Sequence, residues 1–241
     1  MSGGGYIVDR ASDTEDDADE ALFHIGWQVP WYSKILPYGL AGAMAALWVY
    51  YDIFRGGMFG WGVSAQALAQ GRFQTIPLHM AAHGGVWHIV MNVTALCSIS
   101  PPLIAAMGRF PESWLRYLAL FVANGLAGML TYLAIHPFGA VPMLGASGAI
   151  CGLLGLLIRL ESSGAALVDL RSRKVWLAVK GLVQQNLILI ALITLPALLH
   201  GRGGGIAWEA HLGGFLFGLF LGPRFLSPTP PALLPVDEEA A

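Results

Sequence analysis

A serine set between small residues, Gly145-Ala146-Ser147-Gly148, opens the apolar run LGASGAICGLLG at residues 144–155. At a helix N-terminus its hydroxyl would sit where unpaired backbone N–H groups and the positive end of the helix dipole favour a developing negative charge. That suits acyl transfer, which also needs a base within hydrogen-bond reach of the hydroxyl. The candidate base is His211, in Trp208-Glu209-Ala210-His211-Leu212-Gly213-Gly214, because an ionisable group inside an apolar span is costly and usually functional. A third stretch runs from His79 through His83 and His88 to Asn92. His88 and Asn92 are one helical turn apart on one face, and both can donate a hydrogen bond to an oxyanion.

Other chemistries fit less well. The i,i+4 pair His79 and His83 has a metal-ligand spacing, but zinc intramembrane peptidases need His-Glu-x-x-His on a helix, and that string is absent. Aspartyl intramembrane chemistry needs two membrane carboxylates, and only Asp52 lies near the interior of an apolar span. No metal or other cofactor is expected. His79 and His83 are read first as hydrogen-bonding tethers of the loop that precedes them, near the site, with some share in lining a water-filled cavity.

The elements that must position these residues are membrane spans. The 241 residues are 56% hydrophobic and 12% charged, with a mean hydropathy of +0.61, whereas about a quarter of a soluble domain is charged. Judged against the roughly 20 residues that cross a bilayer core, spans are predicted at about 36–54, 84–107, 113–135, 147–160, 176–198 and 206–225. The fold class is therefore all-α, a polytopic bundle of six transmembrane helices. The fourth span is short and rich in glycine, so it should be enclosed by other helices. Residues 1–35 read as a disordered acidic tail followed by an interfacial cluster at Trp27, Pro30, Trp31 and Tyr32. Residues 226–241 read as a flexible Pro-rich acidic tail. The N-terminus has no basic and apolar signal regions, and nothing resembles a nucleic-acid surface. Cys97 and Cys151 lie in apolar runs and read as small buried residues, not a disulfide.

Six spans put both termini on one side. With the N-terminus inside, Arg10, Lys34, Arg109, Arg116, Arg159, Arg171, Arg173, Lys174, Lys180 and Arg224 are cytoplasmic, and only Arg55, Arg72 and Arg202 are outside. That bias sets the expected orientation and puts Ser147 at the outer end of span four. At about 1.5 Å per residue, His211 is expected about 8 Å below the outer surface and Ser147 about 5 Å, close to one level. Ala210, Gly214, Gly218 and Gly222 recur every fourth position on span six, as do Gly148 and Gly152 on span four. Such stripes let helix backbones approach closely in lipid. Packing alone explains the stripes, and packing is what would bring serine and histidine together.

With these stretches in place the chain resembles the rhomboid intramembrane serine proteases. The matching pattern is His83-x4-His88-x3-Asn92, then Gly145-Ala146-Ser147-Gly148, then Ala210-His211-Leu212-Gly213-Gly214 followed by Gly218, in order on spans two, four and six. The resemblance covers about residues 36–225. It implies a Ser147 nucleophile, His211 as general base with no third acid, and an oxyanion hole made by His88, Asn92 and the Ser147 backbone N–H. Family members often carry an aromatic residue one turn after the serine, stacked on the imidazole; here it is Cys151. Many also have a Trp-Arg pair before the histidines, where this chain has Arg72-Phe73-Gln74-Thr75.

Among the remaining polar residues, Glu209 diverges from His211 by about 100° on a helix and reads as a surface residue at the membrane edge. Gln184, Gln185 and Asn186 can hydrogen-bond to a neighbouring helix or gate a substrate. His136 and His200 read as solvated loop residues. Taken together, these features lead us to expect an intramembrane serine endopeptidase of a bacterial plasma membrane, acting on single-span membrane proteins. The alternatives are a rhomboid-like pseudoprotease that binds membrane helices without cleavage, and a small-solute or proton transporter. The last leaves the Ser-Gly turn and the glycine register unexplained.

Overall fold

The computed structural model describes residues 29–161, 166–195, 199 and 205–228. The acidic N-terminal tail, the C-terminal residues from 229 and His200 lie outside the described residues. The described chain is all-helical: α1 (Tyr32–Phe54), α2 (Ala65–Ala69), α3 (Thr75–Leu78), α4 (Val86–Ala106), α5 (Glu112–Ile135), α6 (Ser147–Leu157), α7 (Arg173–Leu189) and α8 (Trp208–Leu221). By length and composition, α4, α5 and the stretch Arg173–Leu192 can each cross a membrane, while α6 is a shorter apolar helix. The chain is an integral multi-pass membrane protein built as a six-helix bundle of α1 and α4 to α8, with α2 and α3 in the first connection.

α6 is the centre of the bundle. It has only eleven residues, and Gly148, Ala149, Ile150, Gly152, Leu153, Gly155 and Leu156 are all buried among α4, α5 and α8. The glycine stripes mesh as their spacing predicts. A β-carbon at Gly214 would collide with the carbonyl oxygen of Gly148, one at Gly218 with that of Gly152, and one at Gly148 would stand 3.1 Å from the carbonyl oxygen of Ala210. Backbone therefore lies against backbone along the α6–α8 contact. α5 closes the third side, where a β-carbon at Gly128 would come within 2.6 Å of the Ala210 carbonyl oxygen.

The two connections at the Ser147 end are tied to each other. Val63 and Met143 exchange backbone hydrogen bonds of 2.9 and 2.8 Å, and Gln66 N donates to Gly139 O at 3.1 Å. Ser64 caps α2 by accepting from Ala67 N at 3.0 Å, which turns the loop back toward the bundle.

Several boundaries differ from the sequence reading. α1 begins at Tyr32, four residues before the predicted span; the Tyr32 hydroxyl donates to Gly108 O at 3.0 Å and Trp114 Nε1 donates to Tyr32 O at 3.1 Å, fastening that end. Span four ends at Leu157, because the chain reverses there and Val168 N bonds back to Arg159 O at 2.7 Å. Span six is α-helical only over Trp208–Leu221 and tightens into a 3-10 turn at Gly222–Phe225, where Pro223 lacks the N–H an α-helix needs. Span five starts at Arg173, capped by Ser172, whose hydroxyl accepts from Val175 N at 3.3 Å, and passes into a π-helical turn at Ile190–Thr194. Ser227 N still bonds to Ala106 O at 3.3 Å, so the first residues assigned to the tail are anchored.

Candidate active site

Ser147 is the first residue of α6. Gly145 precedes it with φ +122°, a left-handed conformation natural to glycine, and Gly145 N donates to His79 O at 2.8 Å. The first helical hydrogen bond runs from Ile150 N to Ala146 O at 3.0 Å. The backbone N–H groups of Ser147 and Gly148 therefore lack helical partners. His211 lies one turn into α8, and the close α6–α8 packing brings its Nε2 to 2.8 Å from Ser147 Oγ. Both residues are only partly buried.

A third side chain joins them. Asn186, on α7, has its Oδ1 2.7 Å from His211 Nδ1, while its Nδ2 donates to Leu182 O at 2.9 Å. A carbonyl can only accept, so the Leu182 bond fixes the amide with its oxygen toward the imidazole. Nδ1 then carries the His211 proton, and Nε2 accepts from the Ser147 hydroxyl. This link was missed in the sequence, where Asn186 stood in a polar trio with Gln184 and Gln185. Both glutamines are exposed in the structure, and among the described residues Asn186 alone of the three makes a cross-helix bond.

His88 faces the same place from α4. Its Nδ1 accepts from Gly84 N at 3.3 Å, which puts the proton of the neutral ring on Nε2. A β-carbon on Gly145 would lie 2.6 Å from that Nε2 and 3.7 Å from Ser147 Oγ, so a donor points into the space beside the serine. Asn92 is buried one turn further along; its Nδ2 donates to His88 O at 2.7 Å, leaving one amide hydrogen uncommitted. Cys151 is a free thiol one turn after Ser147, packed beside the cluster of Ile158, Val175, Phe215 and Leu219. Gly148 lies under Ala210, as described above.

His79 and His83 do not line an open cavity, contrary to expectation: each is only 1% exposed. His79 Nδ1 bonds to Ile76 O at 2.6 Å, and its carbonyl holds Gly145, so it ties the first connection to the turn before Ser147. His83 Nδ1 bonds to Ala81 O at 3.2 Å, and its ring meets His88 edge to face at 5.0 Å between centroids. These two rings precede α4. Burial lowers the pKa of His79; burial and then the charge of His88 push that of His83 down to about 4. Both are neutral at physiological pH. One other assignment changes. Glu209 is buried, not at the surface, and His136 Nε2 stands 2.7 Å from its Oε1. The pair joins the connection after α5 to the start of α8. Adjacent positions on a helix diverge, which is why Glu209 serves His136 and Asn186 serves His211. Among the described residues no three His, Cys, Asp or Glu side chains converge as metal ligands.

The family model of the Rhomboid domain matches residues 70–228. The Bacillus subtilis protein named rhomboid protease GluP is 31% identical over 156 residues, 64% of this chain and 26% of that protein. RHOMBOID-like protein 5 of Arabidopsis thaliana is 34% identical over 140 residues, 58% of this chain and 40% of its own length. Mitochondrial rhomboid protein 1 of Saccharomyces cerevisiae is 29% identical over 147 residues, covering 58% and 38%. The chain thus spans well under half the length of each of these relatives.

Proposed function

Since the chain belongs to the rhomboid family, we propose that it is an intramembrane serine endopeptidase that cleaves transmembrane segments of single-span membrane proteins. The observation that carries this reading is the 2.8 Å hydrogen bond between Ser147 Oγ and His211 Nε2 at the start of a helix with free N–H groups. The name of the Bacillus subtilis relative supports it.

In the proposed reaction His211 Nε2 takes the Ser147 proton as Oγ attacks the scissile carbonyl carbon. The oxyanion that forms is held by the Ser147 N–H together with His88 Nε2–H and the uncommitted amide hydrogen of Asn92. The imidazolium then protonates the departing amine, the C–N bond breaks, and an acyl-enzyme remains on Ser147. Water, deprotonated by His211, attacks that ester and regenerates the hydroxyl. The substrate helix has to unwind locally, because a regular helix keeps its carbonyls engaged. On the charge bias, the active end faces outward with both termini cytoplasmic; a bacterial plasma membrane is proposed from the compact six-span core.

A fluorophosphonate probe tests this reading. Labelling of the wild type that disappears in both Ser147→Ala and His211→Ala is the expected result. Equal labelling of wild type and Ser147→Ala removes it, and leaves a helix-binding protein without cleavage.

A further inference from the structure

The hydrogen bond that most needs an explanation is the one on the far side of the imidazole. The geometry points to Asn186 as the positioning residue of the base, the third member of a Ser147–His211–Asn186 chain whose last link is carried by α7. This rests on the proteolytic reading of the same site and extends it.

Three observations meet here. Asn186 Oδ1 is 2.7 Å from His211 Nδ1, and the bond to Leu182 O leaves the amide one orientation. A general base must present a bare nitrogen to the hydroxyl, and a neutral imidazole does so only when its proton is held on the other nitrogen. An amide oxygen can perform that duty without a charge, as the Cys-His-Asn arrangement does on other folds. Moreover, among the described residues the ring contacts of His83 with His88 and of Tyr132 with His136 leave His211 out. Ring rotation of His211 is therefore restrained by its two hydrogen bonds. Since Asn186 belongs to α7, the base is correctly set only while α7 is seated against α8. The exposed neighbours Gln184 and Gln185 cannot substitute, because they project from other faces of the helix.

The test uses the full chain in detergent micelles with a single-span peptide substrate, and two variants. Asn186→Leu keeps the bulk and removes the acceptor; Asn186→Asp keeps an acceptor at the same reach. Asn186→Leu is expected to lower kcat by roughly 30-fold with KM little changed, and Asn186→Asp to recover most of it, as for an orienting group that never touches substrate. Histidine 15N chemical shifts give a readout independent of turnover: His211 is expected to be the Nδ1–H tautomer in the wild type and a mixture of tautomers in Asn186→Leu. Full kcat in Asn186→Leu, equal losses in the two variants, or mixed tautomers already in the wild type would overturn the inference. If the wild type fails to cleave or to label while its single tautomer is scrambled by Asn186→Leu, the proteolytic reading falls and the positioning role stands. Cleavage indifferent to Asn186→Leu gives the reverse.

Discussion

Where α6 meets α8, glycine lies on glycine and the two backbones touch; where α7 meets α8, contact is made through side chains. On α6 every residue but Ser147, Cys151, Leu154 and Leu157 is buried. On α7 Val175 is the one buried residue, while Val183, Leu187 and Ile188 are more than half exposed. Both helices nevertheless hold the same imidazole, Ser147 at Nε2 and Asn186 at Nδ1. The difference teaches that distance and proton placement are under separate control. The Ser–His separation is set by a backbone contact that has no room for a β-carbon at Gly214 or Gly218. The proton on the far nitrogen depends on a helix seated through side chains, Val175, Ala178, Val179 and Leu182 against Phe215 and Leu219.

The contrast can be broken hardest at the glycines. Gly214→Val or Gly218→Val drives a branched side chain into a carbonyl oxygen of α6, and a destabilisation above about 4 kcal/mol is expected, seen as loss of the thermal unfolding transition in micelles. Retention of a normal transition would show that the backbones have room to part. Acid attacks the same rigid side through the buried rings that precede α4. The pKa of His83 falls from 6.5 to about 4 on folding, so between those values the unfolded state binds more protons. The His83 contribution is therefore unchanged above pH 6.5, and stability drops as pH falls from 6.5 toward 4, by up to about 3 kcal/mol. Melting temperature against pH, compared with His83→Phe, checks this; parallel curves would remove His83 as the cause.

Next in size is Gly145→Ala. A β-carbon there meets His88 Nε2 and is strained at φ +122°, so a loss of roughly 100-fold in kcat is expected, with the fold preserved by circular dichroism. The smallest effect belongs to the loose side. Leu187→Ala and Ile188→Ala are expected to shift stability by less than about 0.5 kcal/mol, measured by thermal unfolding. Losses as large as those at Gly214 would mean that α7 is as firmly seated as α6.

Much of this was legible in the chain. Ser147 between small residues, His211 in an apolar run and the fourfold glycine spacing together implied a close helix pair, because small residues at every fourth position leave one face with no side chains to keep backbones apart. His88 and Asn92 were legible as one face by their spacing. What failed were statements about partners. Glu209 was read as exposed and is buried against His136, whose own side chain stays partly open to solvent as read. His79 and His83 were read as tethers with a share in cavity lining; they are enclosed, and only the tethering stands for His79. Boundaries slipped where a proline or a chain reversal ended a span early.

By itself, then, the sequence determined which residues share a helix face and which faces are bare enough for backbones to touch, since those follow from 3.6-residue periodicity and side-chain size. The partner of His211 Nδ1 was decided only in three dimensions. Asn186 is 25 positions away in a run of three amides, and which of the three turns inward depends on the rotation of α7 about its own axis. That rotation is set by the side-chain packing of Val175, Ala178, Val179 and Leu182 on the cluster around Phe215 and Leu219, a long-range contact that no local pattern encodes.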